Sequence, residues 1–313
     1  MFLSGLVTAV TLCAAVQLAS EEVAVPAPGG GELAGAWVAG EGPAAVIIPG
    51  SGPTNRDGDN RLGAAGSPYR RLAEGLAEAG VGSIRIDKRG MFASASAGDP
   101  NDVTLEVYAA DIGRWMDLAA ERSEADCIWL IGHSEGGLVA IETALQRDDV
   151  CGLVLLAAPG RRTSAVLREQ LAANPANAPI LDQANAAIST LESGERVDVA
   201  ALHPALARSL FAPQIQGFLI SLFAFDPPAE LARTEVPVLV LQGDRDRQVN
   251  LEDARSLQGA RDGISVEIIE GAGHTLKPVP ADIAGYRRAG LDPELGLADG
   301  VVEAIAAFIN AHP

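Results

Sequence analysis

The chain is expected to fold as an α/β protein: a mostly parallel sheet with helices on both faces and an inserted helical cap. Three observations carry this. Short apolar runs alternate with segments of helical period along most of the sequence. Hydrophobic residues make up 48% of the 313 residues and aromatics only 4%, so the core must be built from Ala, Leu, Val and Ile, as in strands buried on both faces. Finally, residues 160–233 show helical periodicity and no strand pattern, and a block of about 75 residues is too long for a loop.

The elements follow in order. Ala44–Ile48 reads as a strand, halted at Pro49-Gly50-Ser51-Gly52-Pro53. Tyr69–Ala79 reads as a helix closed by Gly80. Gly82–Ile86 is a strand ended by Asp87-Lys88-Arg89-Gly90, and Leu105–Glu121 carries apolar residues at helical spacing. The strand Cys127–Ile131, the helix Gly136–Arg147 and the strand Val150–Ala157 come next. After the strandless block, Val236–Leu241 is a strand, Leu251–Gln258 a helix, Ile264–Ile269 a strand and Val301–Asn310 a closing helix. Repeated strand–helix units of this size imply parallel pairing. The expected organisation is a leader at residues 1–20, a core at 21–159 and 234–313, and the cap at 160–233.

Phe2 to Ala19 is uncharged and mostly apolar, and Glu21-Glu22 and a Pro/Gly-rich run from Pro26 to Gly31 follow. This fits a secretory signal peptide cut near Ala19 or Ser20 better than a retained membrane anchor, although no Lys or Arg precedes the apolar run. A periplasmic or secreted protein is therefore expected. Cys127 and Cys151 each open a strand. If those strands are neighbours the thiols could pair in an oxidising compartment, but the favoured reading is two small buried hydrophobes. A net charge of −18 with no basic run argues against nucleic acid, which needs clustered Lys and Arg.

Gly132-His133-Ser134-Glu135-Gly136 matches G-x-S-x-G between a strand and a helix. There the Ser sits on a sharp turn that lifts its hydroxyl above the strand ends. Larger side chains at Gly132 and Gly136 would collide, and the helix N-terminus favours developing negative charge. Ser134 is the expected nucleophile, and it needs a base. Of the four histidines, His133 lies inside the turn itself, on its wrong side. His203 falls in the cap, and His312 lies in the tail. His274, just past the last strand, is the expected base, since parallel sheets place their sites at the C-terminal ends of strands.

The base needs an orienting carboxylate. After Val236–Leu241 come Asp244 and Asp246. Asp246 is favoured, because its Gly-x-x-Asp spacing carries the chain back over the sheet; Asp244 suits a turn residue bonding its own backbone. For the oxyanion hole, one donor is expected from the backbone N–H of Glu135. The other is expected from Ser51, with Gly52 as the alternative. Asp57 and Asp59 lack the full spacing of a calcium loop and read as loop-shaping. Asp87, Lys88 and Arg89 read as braces of the loops near the site. No C-x-x-C, H-E-x-x-H, dinucleotide or phosphate-loop motif appears, so no metal or cofactor is expected.

Together Pro49-Gly50-Ser51-Gly52-Pro53-Thr54-Asn55-Arg56-Asp57-Gly58, Arg85-Ile86-Asp87-Lys88-Arg89-Gly90, Gly132-His133-Ser134-Glu135-Gly136, Gly243-Asp244-Arg245-Asp246 and Gly273-His274-Thr275-Leu276-Lys277 resemble bacterial α/β-hydrolases. The nearest group is that of carboxylesterases and serine-aminopeptidase-like hydrolases with a helical cap. The resemblance spans about Ala44 to Ile309, and the chain order Ser, Asp, His is that of the α/β-hydrolase triad. It implies cofactor-free hydrolysis of short or medium acyl esters, a small-molecule partner, and peptidase or thioesterase activity as alternatives. A non-catalytic binding protein on a hydrolase fold is disfavoured, since the Ser, Asp and His positions are all filled. In the cap, Phe211, Ile215, Phe218 and Leu222 recur at helical steps. The plainer reading of that face is packing of the cap onto the sheet. The sharper one makes Phe218 and Leu222 a wall of an acyl pocket above Ser134.

Overall fold

The computed structural model describes residues 19–60 and 63–312. Residues 1–18 of the expected leader lie outside the described residues. Eight strands form one sheet: β1 (Ser20–Pro26), β2 (Glu32–Val38), β3 (Ala44–Ile48), β4 (Gly82–Ile86), β5 (Ile128–His133), β6 (Val150–Leu156), β7 (Val238–Gly243) and β8 (Ile264–Ile269). Their order is β1-β2-β4-β3-β5-β6-β7-β8. β1 and β2 pair antiparallel, as do β2 and β4, and every other neighbour pair is parallel. The central strands are mostly apolar and are buried on both faces along their whole length.

One face of the sheet is covered by α1 (Pro68–Glu78) and, at the end of the chain, α11 (Val301–Ala311); Leu72, Leu76, Ile305 and Ile309 meet Ile47, Ile131 and Leu241 there. The other face is covered by α2 (Leu105–Ser123) and α3 (Glu135–Gln146), through Ile112, Trp115, Leu138 and Ile141. Between β6 and β7 the chain forms α4 (Thr163–Ala173), α5 (Leu181–Glu192), α6 (Pro204–Arg208), α7 (Gln216–Ala224) and α8 (Pro227–Leu231), with short 3-10 turns between them and no strand. After β7 comes α9 (Leu251–Gln258), started by a capping box of Asn250 and Asp253, and after β8 comes α10 (Ile283–Leu291).

The N-terminal hairpin differs from expectation. Residues read as the end of a leader and a Pro/Gly-rich run form β1, a turn and β2. Gly29, Gly30 and Gly31 all take positive φ there, which glycine adopts without strain. Only two of the seven β1 residues, Val23 and Val25, are buried, so the strand carries a faint apolar signal. Helix α10 was also not anticipated, with both Ile283 and Leu291 exposed.

Cys127 and Cys151 also differ from the favoured reading. β5 and β6 are neighbours, and the two cysteines are joined by a disulfide, their Cα atoms 5.1 Å apart. Sequence shows two strand-opening cysteines; only strand order shows that they are adjacent.

The expected acyl wall is placed elsewhere. Leu222 is buried in the same apolar cluster as α2 and α3, and Phe218 packs against that cluster, edge-on to Tyr108 with ring centroids 5.8 Å apart. Of the four positions at helical steps only Phe218 and Leu222 lie on α7, Phe211 and Ile215 preceding it, and the period could not say what the face covers. Leu222→Ala is therefore expected to lower stability by about 2–5 kcal/mol while leaving relative rates on different acyl lengths unchanged. Urea melts and an ester-length series check this; a changed length preference in a fully stable variant would contradict the core placement.

Candidate active site

Four loops at the C-terminal ends of parallel strands converge: those after β3, β5, β7 and β8. Between β5 and α3, Ser134 stands at φ 53° and ψ −122°, a conformation that costs an L-residue energy and persists only when the surroundings enforce it. They do so by close packing. A Cβ on Gly132 would overlap the Gly136 carbonyl, and one on Gly136 would overlap that of Ile48. Ser134 N–H donates to Leu156 O at 2.8 Å, tying the turn to β6.

His274 lies in the loop after β8 and is buried. Its Nδ1 is 2.8 Å from Asp246 Oδ2. Asp246 also accepts N–H bonds from Gln248 (2.7 Å) and Val249 (3.1 Å) and one from Gln242 Nε2 (3.2 Å). Burial raises its pKa, but the His274 charge and these hydrogen bonds outweigh it, and the net shift is downward. An ionised carboxylate only accepts, so Nδ1 of His274 donates to Asp246, which leaves Nε2 as the acceptor of the neutral ring. Asp244, the competing acid, is exposed and accepts the Gly271 N–H at 2.7 Å. The structure thus joins His274 to Asp246 and gives Asp244 a loop-bracing contact.

Ser134 and His274 share a cavity of about 300 Å³ with Ser51, Thr54, Asn60, Tyr69, Gln248 and Thr275. Neither Phe218 nor Leu222 lines it. Gly50 packs tightly under Ser134: an added Cβ would lie 3.2 Å from Ser134 Cβ and 3.1 Å from His133 Nδ1. Glu135 is the first residue of α3, where an N–H has no partner within the helix. Ser51 is exposed at the cavity rim.

Two residues around the site, His133 and Tyr69, went beyond the sequence reading, while Lys88, Arg89 and Asp87 are braces as expected. His133, discounted as a base, is a brace. Its Nε2 lies 2.8 Å from the His274 carbonyl, so it donates there, and its Nδ1 accepts from the Tyr69 hydroxyl at 2.7 Å. Tyr69 Oη in turn accepts the Gly50 N–H at 3.2 Å. One chain of hydrogen bonds thus links the loop after β3, the turn at Ser134 and the His274 loop. Lys88 donates to Gly50 O at 2.8 Å and lies 3.5 Å from Glu135 Oε1. Arg89 is clamped to Asp111, and Asp87 accepts the Arg56 N–H at 2.8 Å. Asp57 pairs with Arg85, and Asp59 accepts from Ser67 N and Oγ.

Burial, reinforced by the neighbouring His274, lowers the His133 pKa from 6.5 to about 3. The folded ring therefore stays neutral where the unfolded one binds a proton. Below pH 6.5 the unfolded state holds the extra proton, so this contribution to stability declines as pH falls toward 3. Its slope approaches about 1.4 kcal/mol per pH unit. His133→Gln should be less stable at neutral pH yet show a flatter acid limb in urea melts from pH 7 to 4. An equally steep limb would contradict a neutral buried ring.

The fold is shared with solved enzymes of low identity. An esterase from Pyrococcus furiosus superposes with a TM-score of 0.61 at 14% identity, covering 95% of this chain and 91% of its own. Est1E from Butyrivibrio proteoclasticus, bound to ferulic acid, gives 0.55 at 18%, covering 90% and 95%. An esterase from Exiguobacterium antarcticum gives 0.52 at 19%, covering 80% and 91%. No curated protein matches the sequence. The sequence model described as the alpha/beta hydrolase family matches residues 45–284, well over half of the chain, and with that match the protein belongs to the alpha/beta hydrolase family.

Proposed function

We propose that the protein is a serine hydrolase that cleaves carboxylic esters through an acyl-enzyme. The observation that carries this reading is the 2.8 Å bond from His274 Nδ1 to Asp246 Oδ2, with His274 lining a cavity that also holds Ser134 on its strained turn. His274 Nε2 takes the Ser134 proton as the oxygen attacks the acyl carbonyl. Asp246 holds the ring and stabilises its charged form. The oxyanion rests on the N–H groups of Glu135 and Ser51. His274 then protonates the leaving alcohol, and water removes the acyl group by the reverse steps. The esterases that share the fold support an ester substrate over an amide.

The cavity is small, near the lower end for ligand sites, and Ser51, Thr54, Asn60, Gln248 and Thr275 give it several polar groups. That composition favours short acyl groups. The Cys127–Cys151 disulfide supports an exported protein, since such bonds persist in oxidising compartments.

A panel of acyl esters from acetyl to decanoyl, acyl thioesters and aminoacyl amides tests the reading. Short esters are expected to give the highest kcat/KM. Faster turnover of aminoacyl amides would make the protein a peptidase; turnover of none of them would remove the hydrolase reading.

A further inference from the structure

The peptide joining Gly50 to Ser51 is fixed from below. Lys88 is buried among Gly50, Glu135 and the Tyr108 ring, whose centroid is 5.8 Å from its Nζ. The ammonium donates to Gly50 O at 2.8 Å and faces Glu135 Oε1 at 3.5 Å. The described residues contain no cis peptide. In a trans peptide the C=O of one residue and the N–H of the next point in opposite directions. A cation that holds Gly50 O on the buried side therefore turns the Ser51 N–H the other way. Ser51 lines the cavity with Ser134, and Lys88 does not.

Two further contacts fix the same loop. Tyr69 Oη holds the Gly50 N–H, and Thr54 Oγ1 donates to Ser51 O at 3.0 Å. Of these groups only Lys88 acts on the carbonyl of the peptide whose N–H would face the substrate. Its charge also polarises that amide, which strengthens the N–H as a donor. Its counter-charge belongs to Glu135, whose own backbone N–H is the other donor. Burial disfavours the ammonium, and Glu135 opposes that effect.

We infer that Lys88 is the positioning residue of the oxyanion hole: paired with Glu135, it locks the hole's two halves together and aims the Ser51 N–H. This rests on the serine-hydrolase reading above. Lys88 touches no reacting atom, so its removal should weaken binding of the tetrahedral state and leave ground-state binding nearly intact.

The test compares wild type, Lys88→Met, Lys88→Arg and Glu135→Gln on a short acyl ester and against an aryl trifluoromethyl ketone. Ser134 oxygen adds to the ketone carbon, its proton passes to His274, and the product is an anionic hemiketal held by the hole. Lys88→Met, which is unbranched, one atom shorter and uncharged, should lower kcat by about 10²–10³, the range for loss of one oxyanion donor. KM should move less than about threefold, and the ketone's Ki should rise in step with the fall in kcat. Glu135→Gln should show the same pattern in weaker form, and Lys88→Arg should recover part of the loss.

Lys88→Met with kcat within threefold of wild type overturns the inference, as does a loss seen in KM with Ki unchanged. Should Lys88→Met fail to fold, Glu135→Gln decides: unchanged kcat and Ki overturn the inference. Ser134→Ala separates the two layers. Wild type that turns over ester no faster than Ser134→Ala removes the hydrolase reading itself. A Ser134-dependent enzyme with a fully active Lys88→Met removes only the role of Lys88.

Discussion

Ser134→Ala and His274→Ala are each expected to lower kcat on a short acyl ester by about 10⁵–10⁶. In a serine protease whose Ser and His act as one unit, loss of either costs about as much as loss of the whole triad. The same coupling is expected here, because the base has no other function in the site: His274 Nδ1 is committed to Asp246 at 2.8 Å, and its other nitrogen is the one available to the Ser134 proton. The double variant should therefore be no slower than either single one. Ser134→Ala should also melt close to wild type, since Ser134 keeps its backbone bond to Leu156 O. Steady-state kinetics with purified variants check this. Additive losses in the double variant would mean that Ser134 and His274 act in separate steps.

Asp246→Asn should come next, at about 10⁴ in kcat, the loss reported for the equivalent change in a serine protease. An amide at this position can present an N–H to His274 Nδ1, which selects the tautomer with its proton on Nε2, so the ring can no longer accept from Ser134. Asp246 also accepts the Gln248 and Val249 N–H groups through Oδ1, bonds that the Asn carbonyl can keep, so the turn should survive. Asp244→Asn should cost little turnover, because Asp244 braces Gly271 from an exposed position. The two variants assayed side by side decide between the acids; an inactive Asp244→Asn beside an active Asp246→Asn would reverse the assignment.

The parts of the site legible in sequence were those with local signatures. Gly132 and Gly136 flank Ser134 because a Cβ at either position would overlap a carbonyl oxygen, and that requirement appears as a fixed spacing. Asp246 was legible from its distance to Gly243, where β7 ends. The braces were less so. Tyr69 and His133 lie 64 residues apart and Lys88 and Gly50 38 apart, and nothing in the intervening sequence ties one to the other. His133 could be set aside as a base from its position, but its contact with the His274 carbonyl depends on β5 and β8 loops meeting over the sheet.

The fold shows the same division. The apolar runs of β3 to β7 were readable because parallel strands buried on both faces carry a strong composition signal, and the half-exposed β8 still shows Ile264, Val266, Ile268 and Ile269. β1 was not, since an edge strand with Val23 and Val25 as its buried residues resembles a polar linker; β2, which buries Leu33, Trp37 and Val38, went unread as well. For Phe218 and Leu222 the period was right and the destination was not, because periodicity specifies a face and not the surface it meets.

The most direct measurement is capture by a fluorophosphonate, followed by mass spectrometry of the labelled peptide. Phosphorus bonds to the Ser134 oxygen and fluoride leaves, so the adduct reports the nucleophile itself rather than overall turnover. One phosphonyl group per chain is expected, on the peptide that carries Gly132-His133-Ser134-Glu135-Gly136, with labelling slowed strongly in His274→Ala and absent in Ser134→Ala. An adduct on another residue, or a wild-type protein that hydrolyses esters yet takes up no probe at Ser134, would contradict the account.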